Sequence, residues 1–399
     1  LPLAVVECKS PFITNPMEAG INQLLRYCNN RKPEENEGAE KLFYYNQILV
    51  STYNNQARLG TISSRYEHYL EWKDVYPKNI EKFKDNSSQE ILIEGVFNHK
   101  NFLDIIRNFT IFEVVEGKTI KKIPRYQQYR AVHKTVEKIS KGKNKKEKGG
   151  VIWHTQGSGK SLTMVFLAQV FRRNEELKKY KLLYITDRTQ LDSQLTTTFQ
   201  NTQDETVLQA DSAKDLRELI SKDSSDLITS TIQKFQEIRG ENLKVLNESE
   251  NIVVLIDEAH RTQYGTFGMV LNTVLPNAAK IAFTGTPLLK SELTTGEFGD
   301  YIDKYTIEQS VEDGATLQIL YEGREVKTKV EGESLDNLFE EYFSDKTKEE
   351  KNEIKRKYGI EKAVLEAPKR IRWVCLDIIK HYREKIQPNG FKAMIVTSS

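Results

Sequence analysis

Apolar positions along the chain follow different rhythms in different stretches. From Val151 to about Phe283, short unbroken apolar runs (VIWH, KLLYIT, DLITS, NIVVLID and KIAFTG) alternate with longer amphipathic segments. Runs of that length bounded by turns read as strands buried on both faces. Their alternation with helices predicts a parallel sheet covered on both sides, because right-handed crossovers place the helices there. Residues 1 to about 120 mix the two periods. LPLAVVECKS opens as an apolar run that reads as a buried strand, and Met17, Ile21, Leu24, Leu25 and Cys28 give the segment Met17 to Cys28 one apolar helical face. Asn46 to Tyr53 and Arg58 to Ser63 read as strands, Glu90 to Asn98 and Asn101 to Phe109 as helices, so this stretch is an α/β unit of its own. Farther on, the densely charged residues 338 to 363 read as a helical, exposed spacer, Ala367 to Ile386 as a helix, and FKAMIV as a new buried strand opening a second α/β lobe.

The pattern therefore predicts an α/β chain in three parts, residues 1–118, 119–310 and 311–399. A length of 399 residues fits two or three domains. The chain starts at Leu1, inside an apparent strand, which suggests a piece of a longer protein. No apolar stretch approaches a membrane span and no secretory signal is visible. The three cysteines, Cys8, Cys28 and Cys375, show no paired spacing, which argues against a disulfide framework or zinc site and points to the cytoplasm. A net charge of +2 is too small to signal a nucleic-acid partner, so any such partner must be read from motifs. The one strong charge run, KGKNKKEKGG from Lys141, suits a solvated linker better than a phosphate-contacting segment.

Candidate chemistry gathers first after the strand VIW, in HTQGSGKS. A loop that cradles phosphates needs glycines so that backbone N–H groups can approach and point at the oxygens, and Gly157 and Gly159 meet that need. Lys160 supplies a charge for the β- and γ-phosphates, Ser161 a hydroxyl for Mg²⁺, and the following helix the favourable end of its dipole. His154 stands where the spacing usually has glycine. A second run, NIVVLIDEAHR, delivers Asp257, Glu258 and His260 to the C-terminal end of a strand, where ligands bind in open α/β folds. Asp257 is placed to hold Mg²⁺ and Glu258 to orient the attacking water. The next strand ends in a tight turn, Thr284, Gly285, Thr286 and Pro287.

HTQGSGKS, IDEAH and TGTP, in that order, resemble motifs I, II and III of superfamily 2 helicases and translocases. The resemblance implies a RecA-like first lobe over about 123 to 310, with FKAMIVTSS similar to motif IV at the start of the second. It also implies that Thr155, Gln156, Gly157, Ser158, Gly159, Lys160 and Ser161 bind ATP with Mg²⁺. IPRYQQYRAV resembles the adenine-reading glutamine motif, which assigns the base to Gln128 and, as a second choice, Gln127. YITDRTQLDSQ and TSTIQKF resemble the family's DNA-backbone motifs Ia and Ic. In the family motifs V and VI follow beyond Ser399, the last residue here.

That context changes the reading of the opening strand. Glu7 and Lys9 share one strand face, Val6 and Cys8 the other, and taken alone the pair is a strand-end ion pair. On a DNA motor, a carboxylate able to hold Mg²⁺ beside a lysine is also what phosphodiester hydrolysis needs. Gln23 and Tyr27 lie one helical turn apart in NQLLRY. VVECKS and QLLRY together resemble the restriction-type nuclease pattern, whose upstream acidic ligand would precede Leu1. With the motor motifs, they resemble the motor and endonuclease (R) subunit of type I restriction enzymes. That resemblance implies a restriction-endonuclease-like α/β domain ahead of the RecA-like lobe, with Glu7, Lys9, Gln23 and Tyr27 as catalytic residues. It implies partners as well: double-stranded DNA, and methyltransferase and specificity subunits that bring S-adenosylmethionine to the complex. A superfamily 2 helicase or remodelling ATPase with a non-cleaving N-terminal domain, and a non-catalytic ATP-gated scaffold, are the other readings.

Overall fold

A computed structural model of the chain describes residues 1–30, 37–186, 207–238, 243–257, 264–286, 298–324, 335–358 and 367–397. These divide into two compact units, Leu1–Gln318 and Ile319–Ser399.

The first unit begins with a three-stranded sheet of β1 (Ala4–Lys9), β2 (Ile48–Tyr53) and β3 (Gln56–Gly60), in that order. β1 runs parallel to β2, and β2 and β3 form a hairpin whose turn is Asn54-Asn55, with Asn54 at φ 46°. Asparagine tolerates that left-handed backbone better than most residues. The buried strand expected at the chain's start is an edge strand instead: among the described residues β1 pairs only with β2, and Val6 is 52% exposed. The strand buried on both faces is β2, whose Ile48 and Val50 point into one core cluster and Leu49 into another. The helix Pro16–Tyr27 covers the second face with Met17, Ile21 and Leu24. Proline at its first position suits a helix start, where the missing N–H has no partner to lose. A hairpin absent from the expected elements, β4 (Ile111–Val115) and β5 (Lys118–Lys122), turns at Glu116 and Gly117, both at positive φ.

The seven-stranded sheet comprises β6 (Gly150–His154), β7 (Lys181–Thr186), β8 (Val207–Gln209), β9 (Leu227–Thr231), β10 (Ile252–Asp257), β11 (Ala279–Thr284) and β12 (Tyr301–Tyr305). Its order is β12-β6-β11-β10-β7-β9-β8, and every pairing is parallel. Five of these strands follow the expected runs; β8 and β12 do not appear among them. Successive residues of β10 alternate between two cores, Val253 and Leu255 on one face, Ile252, Val254 and Ile256 on the other. The first of these cores continues without a break into the N-terminal sheet, reaching Ile48, Leu59, Trp72 and Phe109 through the helices Tyr126–Lys141 and Lys160–Arg173. Apolar packing thus welds the N-terminal domain to the seven-stranded sheet. The lysine-rich run holds a four-residue helix, Lys145–Lys148, capped by Asn144.

In the second unit the charged region is two helices, Leu335–Tyr342 and Lys348–Tyr358, rather than one spacer. Phe339, Tyr342 and Phe343 are buried together with Ala367, so the segment has a small core of its own. Pro368–His381 is helical as expected, and Tyr382–Ile386 continues it as a π-turn. The strand expected at FKAMIV is not there: residues 391–397 carry no strand, and Phe391, Met394, Ile395 and Val396 are exposed. A strand needs a neighbour to satisfy its backbone, and among the described residues of this unit there is none.

Candidate functional site

The glycine-rich loop expected to bind phosphates leaves β6 at His154 and enters the helix Lys160–Arg173. Gly157 and Gly159 lie at φ +83° and +85°, the left-handed region where only glycine sits without strain. Gly159 is also crowded, since a Cβ there would stand 2.6 Å from Gln128 Nε2. Lys160 is buried, its Nζ 3.5 Å from the carbonyl of His154. Thr155 and Ser158 are buried too, whereas Gln156, Gly157 and Ser161 are exposed at the loop's rim.

The sheet order puts β11 between β6 and β10, and register pairs Thr284 with Trp153 and Asp257 with Phe283. The ends of the three strands are therefore level, and Asp257 and Thr284 stand at the edge from which the loop departs. Gly285 closes against the loop, where a Cβ would lie 3.3 Å from Lys160 Nζ and 3.1 Å from Gln156 N. Trp153 Nε1 donates to Gly285 O at 3.3 Å. Lys160, Ser161 and Asp257 thus lie at one sheet edge, a donor set of ammonium, hydroxyl and carboxylate that suits a triphosphate with Mg²⁺. Glu258, His260 and Pro287 fall outside the described residues, as does YITDRTQLDSQ beyond Thr186. TSTIQKF spans the end of β9 and the start of the helix Ile232–Glu237.

The two glutamines of the adenine-type motif have different fates. Gln128 accepts from Arg125 N at 2.8 Å and donates to Gly159 O at 3.0 Å, so its amide braces the loop. Gln127 is fully buried, with neither amide atom hydrogen-bonded. Both lie in the wall of a cavity of about 880 Å³ that touches the loop at Gly157, Ser158 and Gly159 and the N-terminal domain on its other side.

A buried ionic chain beneath the loop has no counterpart in the sequence reading. Arg130 donates from Nε and Nη2 to Asp303 on β12 at 2.7 and 2.9 Å, and from Nη1 to Asp74 of the N-terminal domain at 2.6 Å. Lys134 reaches Asp303 at 2.9 Å. On the far side, His154 Nε2 donates to Asp303 Oδ2 at 2.9 Å. Burial pushes the His154 imidazole below its ordinary pKa despite that carboxylate, so the ring is neutral and its Nδ1 has no partner. Burial alone would raise Asp303, but hydrogen bonds from His154 and Arg130 outweigh it and hold the carboxyl well below the usual range. The only sequence signal for this chain was His154 occupying a glycine's place.

At the first sheet, Glu7 and Lys9 lie on the face covered by the helix Pro16–Tyr27, and Val6 and Cys8 face out. Lys9 Nζ sits 2.8 Å from Glu7 Oε1 and donates to Gln23 Oε1, and Gln23 Nε2 donates to the Tyr27 hydroxyl. All four sequence-nominated residues therefore form one unbroken polar chain, with Glu7 and Lys9 about one-sixth exposed. Gly20 permits the close approach of helix to sheet, because a Cβ there would fall 2.2 Å from Ser51 Oγ. Ser51 is Glu7's partner in register and donates to Met17 O at 3.2 Å. Neither residue stood out in the sequence. Among the described residues no group of three or more His, Cys, Asp or Glu side chains could hold a metal ion.

Against family models, residues 127–352 match the SWI2/SNF2 ATPase and residues 1–68 the type I restriction enzyme R protein N terminus. The type I restriction enzyme HindI endonuclease subunit of Haemophilus influenzae is 34% identical over 100% of this chain and 39% of its own length. A Methanocaldococcus jannaschii protein named for the type I restriction enzyme MjaIXP endonuclease subunit is 31% identical over the same shares. The chain thus spans about two fifths of the length of these relatives. A solved structure of the ATP-dependent Type ISP restriction-modification enzyme LlaBIII bound to DNA overlaps 49% of this chain and 16% of its own, at 16% identity and a TM-score of 0.38.

Proposed function

Because the chain belongs to the SWI2/SNF2 ATPase family and carries ahead of that region the N-terminal segment of type I restriction enzyme R proteins, we propose that the full-length protein is the motor and endonuclease subunit of a type I restriction system. In this reading it spends ATP to pull duplex DNA past a complex anchored by specificity and methyltransferase subunits, and cuts the DNA away from the recognition site. S-adenosylmethionine belongs to those partners. No helix among the described residues is long and apolar enough to cross a membrane.

The division of labour follows from the side chains. Backbone N–H groups of Gly157 to Lys160 receive the phosphates, and Lys160, held against His154 O and Gly285, fixes its ammonium on the terminal pair. Ser161 and Asp257 would hold Mg²⁺, which when bound neutralises charge on the phosphate oxygens. Glu258 accepts a proton from the attacking water and orients it. At the other site Glu7 would hold a divalent ion. Lys9, its rotamer fixed between Glu7 and Gln23, presents an ammonium to the developing charge on the scissile phosphate. Gln23 and Tyr27 lock that geometry.

The observation that carries the reading is the joining of Glu7, Lys9, Gln23 and Tyr27 into one chain on a domain whose core is continuous with that of the ATP-binding lobe. A scaffold that merely clamps DNA has no use for Glu258. DNA-stimulated ATP hydrolysis by the full-length protein tests the motor half: Lys160→Ala should lose binding and turnover, and Glu258→Gln turnover alone. Undiminished turnover in Glu258→Gln would remove Glu258 from the hydrolytic step, and ATP binding without turnover in the wild type would favour the scaffold.

A further inference from the structure

Two neighbouring residues of opposite sign tie the N-terminal domain to the lobe that carries the glycine-rich loop. Lys73 Nζ sits 2.6 Å from Asp313 Oδ1, and Asp74 Oδ2 accepts from Arg130 Nη1 at 2.6 Å. Asp74 is held firmly on its own side. It is 6% exposed, its Oδ1 accepts from Tyr76 N at 2.9 Å, and its backbone carbonyl accepts from Trp72 Nε1 at 2.7 Å.

Both pairs lead on to the loop. Through Arg130 and Asp303 the Asp74 pair reaches His154, where the loop begins. Asp313 Oδ2 accepts from the hydroxyls of Tyr126 and Tyr305 at 2.6 and 2.8 Å, and Tyr305 O in turn accepts from Thr155 N at 3.0 Å. Just after Asp313 the chain folds back on Ser310, and Thr316 lies against the middle of the loop: a Cβ on Gly157 would stand 3.3 Å from Thr316 Cγ2. The loop is thus braced at His154, Thr155 and Gly157 by contacts that start in another domain.

We propose that Lys73 and Asp74 are positioning residues for the nucleotide, a two-pronged grip through which the N-terminal domain sets the geometry of the phosphate loop. The inference rests on the reading of Gly157–Lys160 as a triphosphate loop. Backbone donors serve an anion only at the right distances, and a misplacement of about 1 Å costs up to about 100-fold. The coupling runs both ways: a shift of the N-terminal domain against the lobe alters nucleotide affinity, and bound nucleotide tightens the two pairs.

The opposite signs of the prongs provide the test. Acting on phosphates by charge alone, loss of the Lys73 ammonium would weaken an anion, whereas loss of the Asp74 or Asp313 carboxylate would tighten it. Positioning predicts that all three losses weaken it. Equilibrium binding of ATP and of inorganic tripolyphosphate to the full-length protein is measured for wild type, Lys73→Met, Lys73→Arg, Asp74→Asn, Asp313→Asn and Lys160→Ala. Lys73→Met, Asp74→Asn and Asp313→Asn should each weaken both ligands about fivefold or more. Lys73→Arg, which keeps the pair, should bind as wild type does, and so should Lys78→Met, which breaks the pair with Glu94 inside the N-terminal domain. Wild-type amide exchange across β1, β2 and β3 verifies folding, and if Asp74→Asn fails that check Asp313→Asn decides. Tighter tripolyphosphate binding in the carboxylate variants, or unchanged affinity in all three pair-breaking variants, with Lys160→Ala impaired, overturns this inference alone. If Lys160→Ala binds both ligands normally, the reading of the phosphate loop fails and the inference falls with it.

Discussion

Replacing Arg130 with methionine removes one charge from the ionic chain beneath the phosphate loop while keeping most of the side chain's volume. Arg130 makes three charge-assisted bonds to two carboxylates and a fourth, at 3.1 Å, to Lys304 O. Asp303 is 1% exposed, and without Arg130 it keeps only Lys134, itself over a third exposed, and a neutral His154. Breaking a buried pair by deleting one partner costs about 3–5 kcal/mol, because the charge left behind cannot reach water. Arg130→Met should destabilise the first unit by that amount in urea titrations followed by hydrogen exchange across residues 298–306. Asp303→Asn should cost a similar amount, and the double variant less than the sum of the two by about 2 kcal/mol or more, since both break the same contact. Nucleotide affinity should fall as well, because His154, which Asp303 holds, places the carbonyl beside Lys160 Nζ. Additive single costs, or a loss below about 1 kcal/mol for Arg130→Met, would refute the argument and reduce the chain to solvated ion pairs of the ordinary kind.

Gly159→Ala forces a Cβ into left-handed backbone and against Gln128, so ATP affinity should drop about tenfold or more; unchanged affinity would show that the loop rearranges freely. Gly20→Ala should destabilise the N-terminal sheet by about 1–3 kcal/mol through overpacking on Ser51, and adding Ser51→Gly should restore most of that; failure of the rescue would locate the clash elsewhere. Burial pushes the Lys121 ammonium down to about 8, so between that pH and its ordinary 10.5 the unfolded chain holds the extra proton and stability rises with pH. Measured against Lys121→Met, wild-type stability should climb by up to about 3 kcal/mol from pH 7 to 10.5, and a flat difference would contradict that burial penalty.

Where apolar runs were long enough to fix their own period, the chain could be read directly. β10 is almost wholly Ile, Val and Leu, and every residue of β7 and β11 is buried, because both faces of a central parallel strand are covered. The sheet's edges did not announce themselves. β8 is three residues long, and β12, YIDKY, carries its aspartate inward to meet Arg130 and His154, so a strand with a buried charge looks polar in sequence. β1 reads as a core strand from composition, but pairing decides burial, and among the described residues the strand has a neighbour on one side only. The glycine-rich loop from His154 to Lys160 was visible because phosphate binding, where a loop does it, calls for glycine and lysine at fixed spacing. Arg130 and Asp303 were not, since their roles arise from contacts across 56 to 173 positions of sequence that no local pattern encodes. That the Gln128 amide is engaged and the Gln127 amide is not likewise could not be read from the sequence.

The central claim is that one chain couples a motor to a nuclease. It is tested most directly with the full-length protein assembled with its partner subunits, on unmodified circular DNA carrying a recognition site, with Mg²⁺ and ATP. Wild type, Lys9→Ala and Lys160→Ala are compared for DNA cleavage and for ATP hydrolysis. Loss of cleavage alone in Lys9→Ala, and of both activities in Lys160→Ala, is the predicted result. Cleavage by Lys9→Ala at the wild-type rate would contradict the account and leave the Glu7 and Lys9 pair as an ion pair at a strand's end.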